Sequence, residues 1–246
     1  MTKTLLTIGD SWTDSEYISY NNPTRPRQVI WAEQLADRLG YNLINLGRQS
    51  IGNERIMKLG VDYLRDHTPD LVCVMLSEQH RVDWYGHLTF HPLCRYLGMM
   101  GGDDDQPLNE DWVYKQMIQR NGDTYVADEL YRNVFLLQNI ADIKGIPIYF
   151  SCGVSPWPLW LYRQEEKWSG NYRKFLERVI ESSYFEYFER RGTDNLIGWP
   201  FFKGLGGYAF TDILNPHSHR ISATDKHPSQ LGHEVITNEF LKKIKI

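Results

Sequence analysis

Four short apolar runs, each closed by turn residues and separated by helical segments, constrain this chain more than anything else in it. Leu5-Leu6-Thr7-Ile8 stops at Gly9-Asp10-Ser11, and an apolar run of this length with such a boundary reads as a buried strand entering a loop. Apolar residues at Ile30, Leu35 and Leu39 then predict a helix over Val29 to Leu39, ended by Gly40 as a C-cap. Tyr41 to Leu46 reads as a second strand. The loop from Gly47 to Asn53 leads to a helix from Glu54 to His67, and Leu71 to Leu76 is a third strand. Strands alternating with helices through short connections imply an α/β fold with a parallel sheet covered on both faces.

Regularity breaks between Ser77 and Asp123, a stretch holding His80, His87, His91, Trp84, Trp112 and the acidic run Asp103-Asp104-Asp105. It is too long for an ordinary connection, and loops of this length usually cover a site or move. A helix from Thr124 to Lys144 follows, stopped by Gly145, and then a fourth strand over Ile146 to Cys152. Asn171 to Arg190 reads as a further helix, Asn195 to Trp199 as a short fifth strand, and Ser229 to Ile244 as the last helix. With no repeat, linker or low-complexity tract, the expectation is one domain over 1–246 with an irregular insertion at about 77–123.

Composition excludes several functions. The formal net charge of −4 argues against a nucleic-acid-binding surface. No apolar run approaches the roughly 20 residues of a membrane span. Met1-Thr2-Lys3-Thr4 enters the first strand directly, which leaves no room for a signal peptide and predicts a cytoplasmic protein. The three cysteines, Cys73, Cys94 and Cys152, are widely spaced, so small buried thiols are expected rather than a disulfide framework or a zinc site. Aromatic residues reach 13%, many of them in predicted loops, where they suit sugar rings or pack long loops onto the domain.

In open α/β sheets ligands bind beyond the carboxyl ends of the strands, which is where Ser11 falls. Turn chemistry alone also accounts for Gly-Asp-Ser, so position is what favours catalysis. Acyl transfer through a serine needs a nucleophile, a base, a group that orients the base, and donors for the developing oxyanion. Ser11, His227 and Asp225 supply the first three, and the N–H groups of Ser11 and Gly52 with a side chain such as Asn53 supply the last. One oxyanion donor changes the barrier by about 3–4 kcal/mol, so the second loop matters nearly as much as the serine.

Gly9-Asp10-Ser11 near the N-terminus, the Gly- and Asn-bearing loop after the second strand, and Asp225-Lys226-His227-Pro228 before the last helix resemble the SGNH/GDSL hydrolase superfamily in the right order. The resemblance implies a flavodoxin-like three-layer α/β/α sandwich with about five parallel strands. It also implies ester hydrolysis by a Ser-His-Asp triad without metal or cofactor. Ser11 is then nucleophile and oxyanion donor, His227 the base, Asp225 its partner, and Gly52 or a near neighbour the second donor. Two features depart from the family pattern. Its third block carries an Asn donor where this chain has Leu76-Ser77-Glu78-Gln79, so either Gln79 or Asn53 substitutes or the third donor is absent. Asp225 also stands two residues before His227 rather than the more usual three.

The expected activity is that of a serine esterase or deacetylase on a small acyl ester, with an O-acetylated carbohydrate preferred as substrate. A non-catalytic glycan- or protein-binding protein on the same fold is the alternative. His217, His219, Asp225, His227 and His233 are borderline metal ligands, but helical His-Glu-x-x-His and Cys-pair spacings are missing, so no metal site is expected.

Overall fold

The computed structural model describes residues 2–19, 26–78, 82–84, 88–90, 123–156, 173 and 175–245. Its strands are β1 (Thr4–Ile8), β2 (Asn42–Asn45), β3 (Leu71–Leu76), β4 (Val82–Trp84), β5 (Leu88–Phe90), β6 (Ile148–Cys152) and β7 (Leu196–Ile197). The principal helices are α1 (Trp31–Leu39), α2 (Asn53–Asp66), α3 (Asp123–Lys144), α4 (Ser183–Arg191), α5 (Phe210–Ile213) and α6 (Gln230–Lys243). Five strands form one sheet in the order β2-β1-β3-β6-β7, and every pairing in it is parallel. This is the expected α/β architecture, with the doubly wound strand order in which the chain reverses direction at β1 and β3.

Alternation along the strands divides the core in two. Leu6, Ile8, Val72, Val74 and Leu76 face one cluster, which also holds Ile56 and Leu64 of α2 and Val134 and Leu137 of α3. Leu5, Leu71, Cys73 and Met75 face the other, with Trp31 and Leu35 of α1 and Ile236 and Phe240 of α6. Side chains two residues apart share a face of a strand, so each strand serves both helical layers. Cys73 and Cys152 are free and buried, and burial pushes both thiols up. They are packing residues, as expected. Cys94 lies outside the described residues.

Gly40 and Gly145 both adopt the left-handed conformation (φ 66° each) and end α1 and α3 as predicted. Several boundaries differ from expectation for local reasons. The α1 helix starts at Trp31, where the Glu33 carboxylate accepts from the N–H of Ile30. Gly52 is the N-cap of α2, so Asn53 is already helical. The helix expected over 171–190 is interrupted at Ser182, whose backbone is extended and whose hydroxyl accepts from the N–H of Tyr184. A serine with this geometry starts a new helix rather than continuing the old one. Within the stretch expected to be irregular, β4 and β5 form an antiparallel pair. His80, His87, His91, Trp112 and Asp103–Asp105 lie outside the described residues. The short helix α5, in the Gly-rich stretch after β7, had no sequence signal.

The α1–α6 contact closes one helical layer and anchors the segment that precedes α6. Trp31 is fully buried and stacks on Phe240 with ring centroids 4.6 Å apart. Trp31→Ala is expected to cost about 3–5 kcal/mol, as large-to-small changes in a packed core do. Urea unfolding should show a lower midpoint at unchanged slope, the signature of lost stability without a change in compactness.

Candidate active site

The loop that follows β1 is wound tightly on itself. The N–H groups of Thr13 and Asp14 both donate to the Asp10 carbonyl, at 2.9 and 3.0 Å. Asp10 is buried, so its carboxylate must find donors within the protein. Oδ1 accepts from the N–H of Trp12 at 3.0 Å, and Oδ2 accepts from the Ser77 hydroxyl at 2.7 Å. The Asn53 amide in turn holds Ser77: Oδ1 accepts from its N–H at 2.8 Å and Nδ2 donates to its carbonyl at 3.0 Å. The ends of β1 and β3 and the start of α2 are thereby locked together. Asn53 is thus a staple for the β3 terminus.

The second loop is stitched to the first in a similar way. Asn45 donates to the Thr13 carbonyl at 2.7 Å and accepts from the N–H of Gly47. Gly47 packs so closely that a Cβ there would lie 2.4 Å from the Thr13 carbonyl oxygen, and one on Gly9 would lie 2.2 Å from Thr13 Oγ1. Close approach, rather than a left-handed turn, is why both positions are glycine.

The segment before α6 carries the other half of the constellation. The Ile221 N–H donates to the His227 carbonyl and the Ser222 N–H to the Asp225 carbonyl, while the Ser222 hydroxyl accepts from the Asp225 N–H. Arg220 donates to the Lys226 carbonyl at 2.8 Å, and its guanidinium lies 5.1 Å from the centre of the Trp12 ring. That cation–π contact ties the His227 segment to the residue after Ser11.

His227 and Ser11 meet across these two segments. His227 Nε2 is 2.8 Å from Ser11 Oγ, and Nδ1 is 2.7 Å from Asp225 Oδ1. The same Oδ1 accepts from the His227 backbone N–H at 3.0 Å. The two-residue spacing therefore serves the pair well, because it lets one carboxylate oxygen receive both N–H groups of the histidine. For Asp225, burial pushes the pKa up. The His227 ring, the Ser19 hydroxyl, which faces it without a well-formed hydrogen bond, and the His227 N–H outweigh this and hold it well below the usual carboxylate range. Asp225 is an anion wherever the protein is folded at ordinary pH.

Ser11 is buried, whereas the His227 side chain is 26% exposed and lies beside an open cavity lined also by Asp14, Ser15, Tyr17 and Gln28. The sequence-derived residues Ser11, His227, Asp225, Gly52 and Asn53 all fall at the carboxyl end of the sheet or in the segment that reaches it, and Gln79 lies outside the described residues. Tyr17 was missed. Its hydroxyl is 3.1 Å from Asp225 Oδ2 and 2.9 Å from His227 Nδ1, and its ring stacks on the imidazole. It sits in a polar segment with no periodicity to single it out. Two of the histidines singled out as borderline metal ligands stand apart from the pair: His217 is exposed, and the His219 ring accepts from the Asn215 N–H. Among the described residues no group of three or more His, Cys, Asp or Glu side chains could hold a metal ion. None of the described helices is long and apolar enough to cross a membrane.

Neither family models nor curated proteins match the sequence. Solved structures do match the fold. One is described as a lipolytic protein of the G-D-S-L family from Desulfitobacterium hafniense DCB-2, at 13% identity and TM-score 0.50 over 99% of this chain and 100% of that one. A lipase/acylhydrolase from Enterococcus faecalis matches at 10% identity and TM-score 0.51 over 99% and 95%. TesA matches at 14% and 0.52 over 99% and 98%.

His233 supplies a stability test at the edge of the site. It is buried in the first turn of α6 with Nδ1 unpartnered, and burial, helped by the charge of His227, pushes its pKa from 6.5 down to about 3. The unfolded chain therefore binds a proton near 6.5 that the folded one refuses until about 3. Its contribution to stability is intact above the higher value and is lost progressively as pH falls towards the lower. Urea unfolding at about pH 7.5 and about pH 4.5 should show a smaller acid-induced loss in His233→Leu than in the native chain. The described residues have the fold of the GDSL/SGNH hydrolases.

Proposed function

We propose that this chain is a serine esterase or deacetylase of the SGNH/GDSL type that hydrolyses a small acyl ester. The observation that carries the reading is the continuous hydrogen-bonded series from Asp225 through His227 to Ser11. A serine hydroxyl at its free pKa is a weak nucleophile, and an imidazole at hydrogen-bonding distance is what activates it. His227 Nε2 takes the Ser11 proton as Oγ attacks the ester carbonyl. Asp225 holds the Nδ1–H tautomer and stabilises the imidazolium. Collapse of the tetrahedral species breaks the C–O bond to the alcohol, which leaves with the proton from His227. Water, deprotonated by His227, then attacks the acyl-Ser11 ester; the C–Oγ bond breaks, Ser11 Oγ takes the proton back from His227, and the acid departs.

The N–H of Ser11, at the turn after β1, and the N–H of Gly52, at the head of α2, are the proposed oxyanion donors. Helix N-termini favour negative charge, which supports the second. Polar side chains in the mixed cavity lining beside Ser11, among them Asp14, Ser15 and Gln28, support a hydroxyl-rich alcohol such as an O-acetylated carbohydrate. A small-molecule or carbohydrate ester is the proposed partner.

Intact-mass spectrometry after exposure to a fluorophosphonate tests the reading directly. One adduct is expected on the native chain and none on Ser11→Ala or His227→Ala; a folded native chain that takes no adduct would leave a non-catalytic binding protein. Asp225→Asn should slow esterase turnover by roughly 10²–10⁴-fold. Rates on acetyl, butyryl and octanoyl esters of one alcohol should fall with acyl length, and the opposite order would exclude the small-acyl substrate.

A further inference from the structure

The acid–base pair has a third member. Tyr17 lies in the segment that follows the Ser11 loop, in a turn closed by donation from its N–H to the Asp14 carbonyl at 3.3 Å. The same segment is pinned to the β2 loop through Asp14, whose carboxylate accepts from the N–H groups of Glu16 and Gln49, both at 2.8 Å. Tyr17 is thus delivered by a braced turn rather than by a free loop. Its ring lies 4.0 Å from the His227 ring at an interplanar angle of 25°.

Stacking decides what the hydroxyl does. With the phenol lying over the imidazole, its oxygen approaches Nδ1 from the ring face, 2.9 Å away. The in-plane direction of the Nδ1–H bond is taken by Asp225 Oδ1 at 2.7 Å. The phenol proton is then donated to Asp225 Oδ2, 3.1 Å away. One oxygen of the carboxylate serves His227 and the other serves Tyr17. The carboxylate plane, the imidazole plane and the tautomer are fixed together.

We propose that Tyr17 is a positioning residue for the Asp225–His227 pair, a role that rests on the esterase reading above. It stops the imidazole from rotating away from Ser11 and holds the proton on Nδ1, so that the Nε2 lone pair faces the nucleophile. When Nε2 receives the Ser11 proton, the electron-rich face of the phenol lies against the new cation and stabilises it.

Tyr17→Phe keeps the stack and removes the hydroxyl, whereas Tyr17→Leu removes both. The rate of fluorophosphonate labelling at Ser11 should fall by roughly 3–10-fold in Tyr17→Phe, the scale expected for the net worth of one hydrogen bond. It should fall further in Tyr17→Leu. On an Asp225→Asn background Tyr17→Phe should add less than about a further twofold, because residues that act through one another are not additive. The ¹⁵N resonances of the His227 ring should report Nδ1–H in the native chain and a tautomer mixture in Tyr17→Leu. Native labelling rates in both variants, or equal losses with and without Asp225, would overturn the proposal. If Tyr17→Leu loses its structure, Tyr17→Phe alone decides. If the native chain takes no adduct, the esterase reading falls, and the ¹⁵N spectra still decide whether Tyr17 sets the tautomer.

Discussion

A carboxylate sealed from water must be given donors, and much of this site follows from how Asp10 is given its own. Its two oxygens draw in the N–H of Trp12 and the hydroxyl of Ser77, one from its own loop and one from the end of the neighbouring strand. The first bond shapes the turn that presents Ser11. The second ties that turn to β3, and Asn53 carries the tie on into α2. An unsatisfied charged group in such a place would cost several kcal/mol. The same demand that stabilises the turn therefore also fixes where the serine stands.

The opposite wall is built by short-range geometry. Between Arg220 and Ser229 the chain folds back on itself through bonds among Ile221, Ser222, Asp225 and His227. Within that fold the carboxylate two residues before the histidine reaches both the backbone and the ring of the same residue. The two-residue spacing is accommodated because Oδ1 accepts twice. Arg220 over Trp12 then brings this wall against the Ser11 loop. Two histidines six residues apart consequently have opposite roles. His227 opens onto the cavity with both ring nitrogens engaged, while His233, buried at the cavity's edge, resists protonation.

The strands, their parallel arrangement, the helix-ending glycines and the order of the Ser11, Gly52–Asn53 and Asp225–His227 blocks were legible in the chain because each depends on neighbours a few residues away. Apolar run length sets a strand, 3.6-residue spacing sets a helix, and glycine permits a left-handed cap. Ser182 also carried a local signal, since serine favours N-caps, but it was hidden inside an otherwise continuous helical pattern. The reason for Gly9 and Gly47 was not legible. What excludes a side chain there is Thr13, brought close only by folding.

By itself the sequence determined a parallel α/β sheet and pointed to a serine, a histidine and an aspartate as candidates at its carboxyl edge. Only the tertiary structure decided that Ser11 Oγ and His227 Nε2, 216 residues apart, stand 2.8 Å from each other. It also turned Asn53 into a clamp on Ser77 and laid Tyr17 on the imidazole. Such contacts join loops whose conformations no periodicity describes, and their geometry is set by buried polar groups finding partners from distant segments.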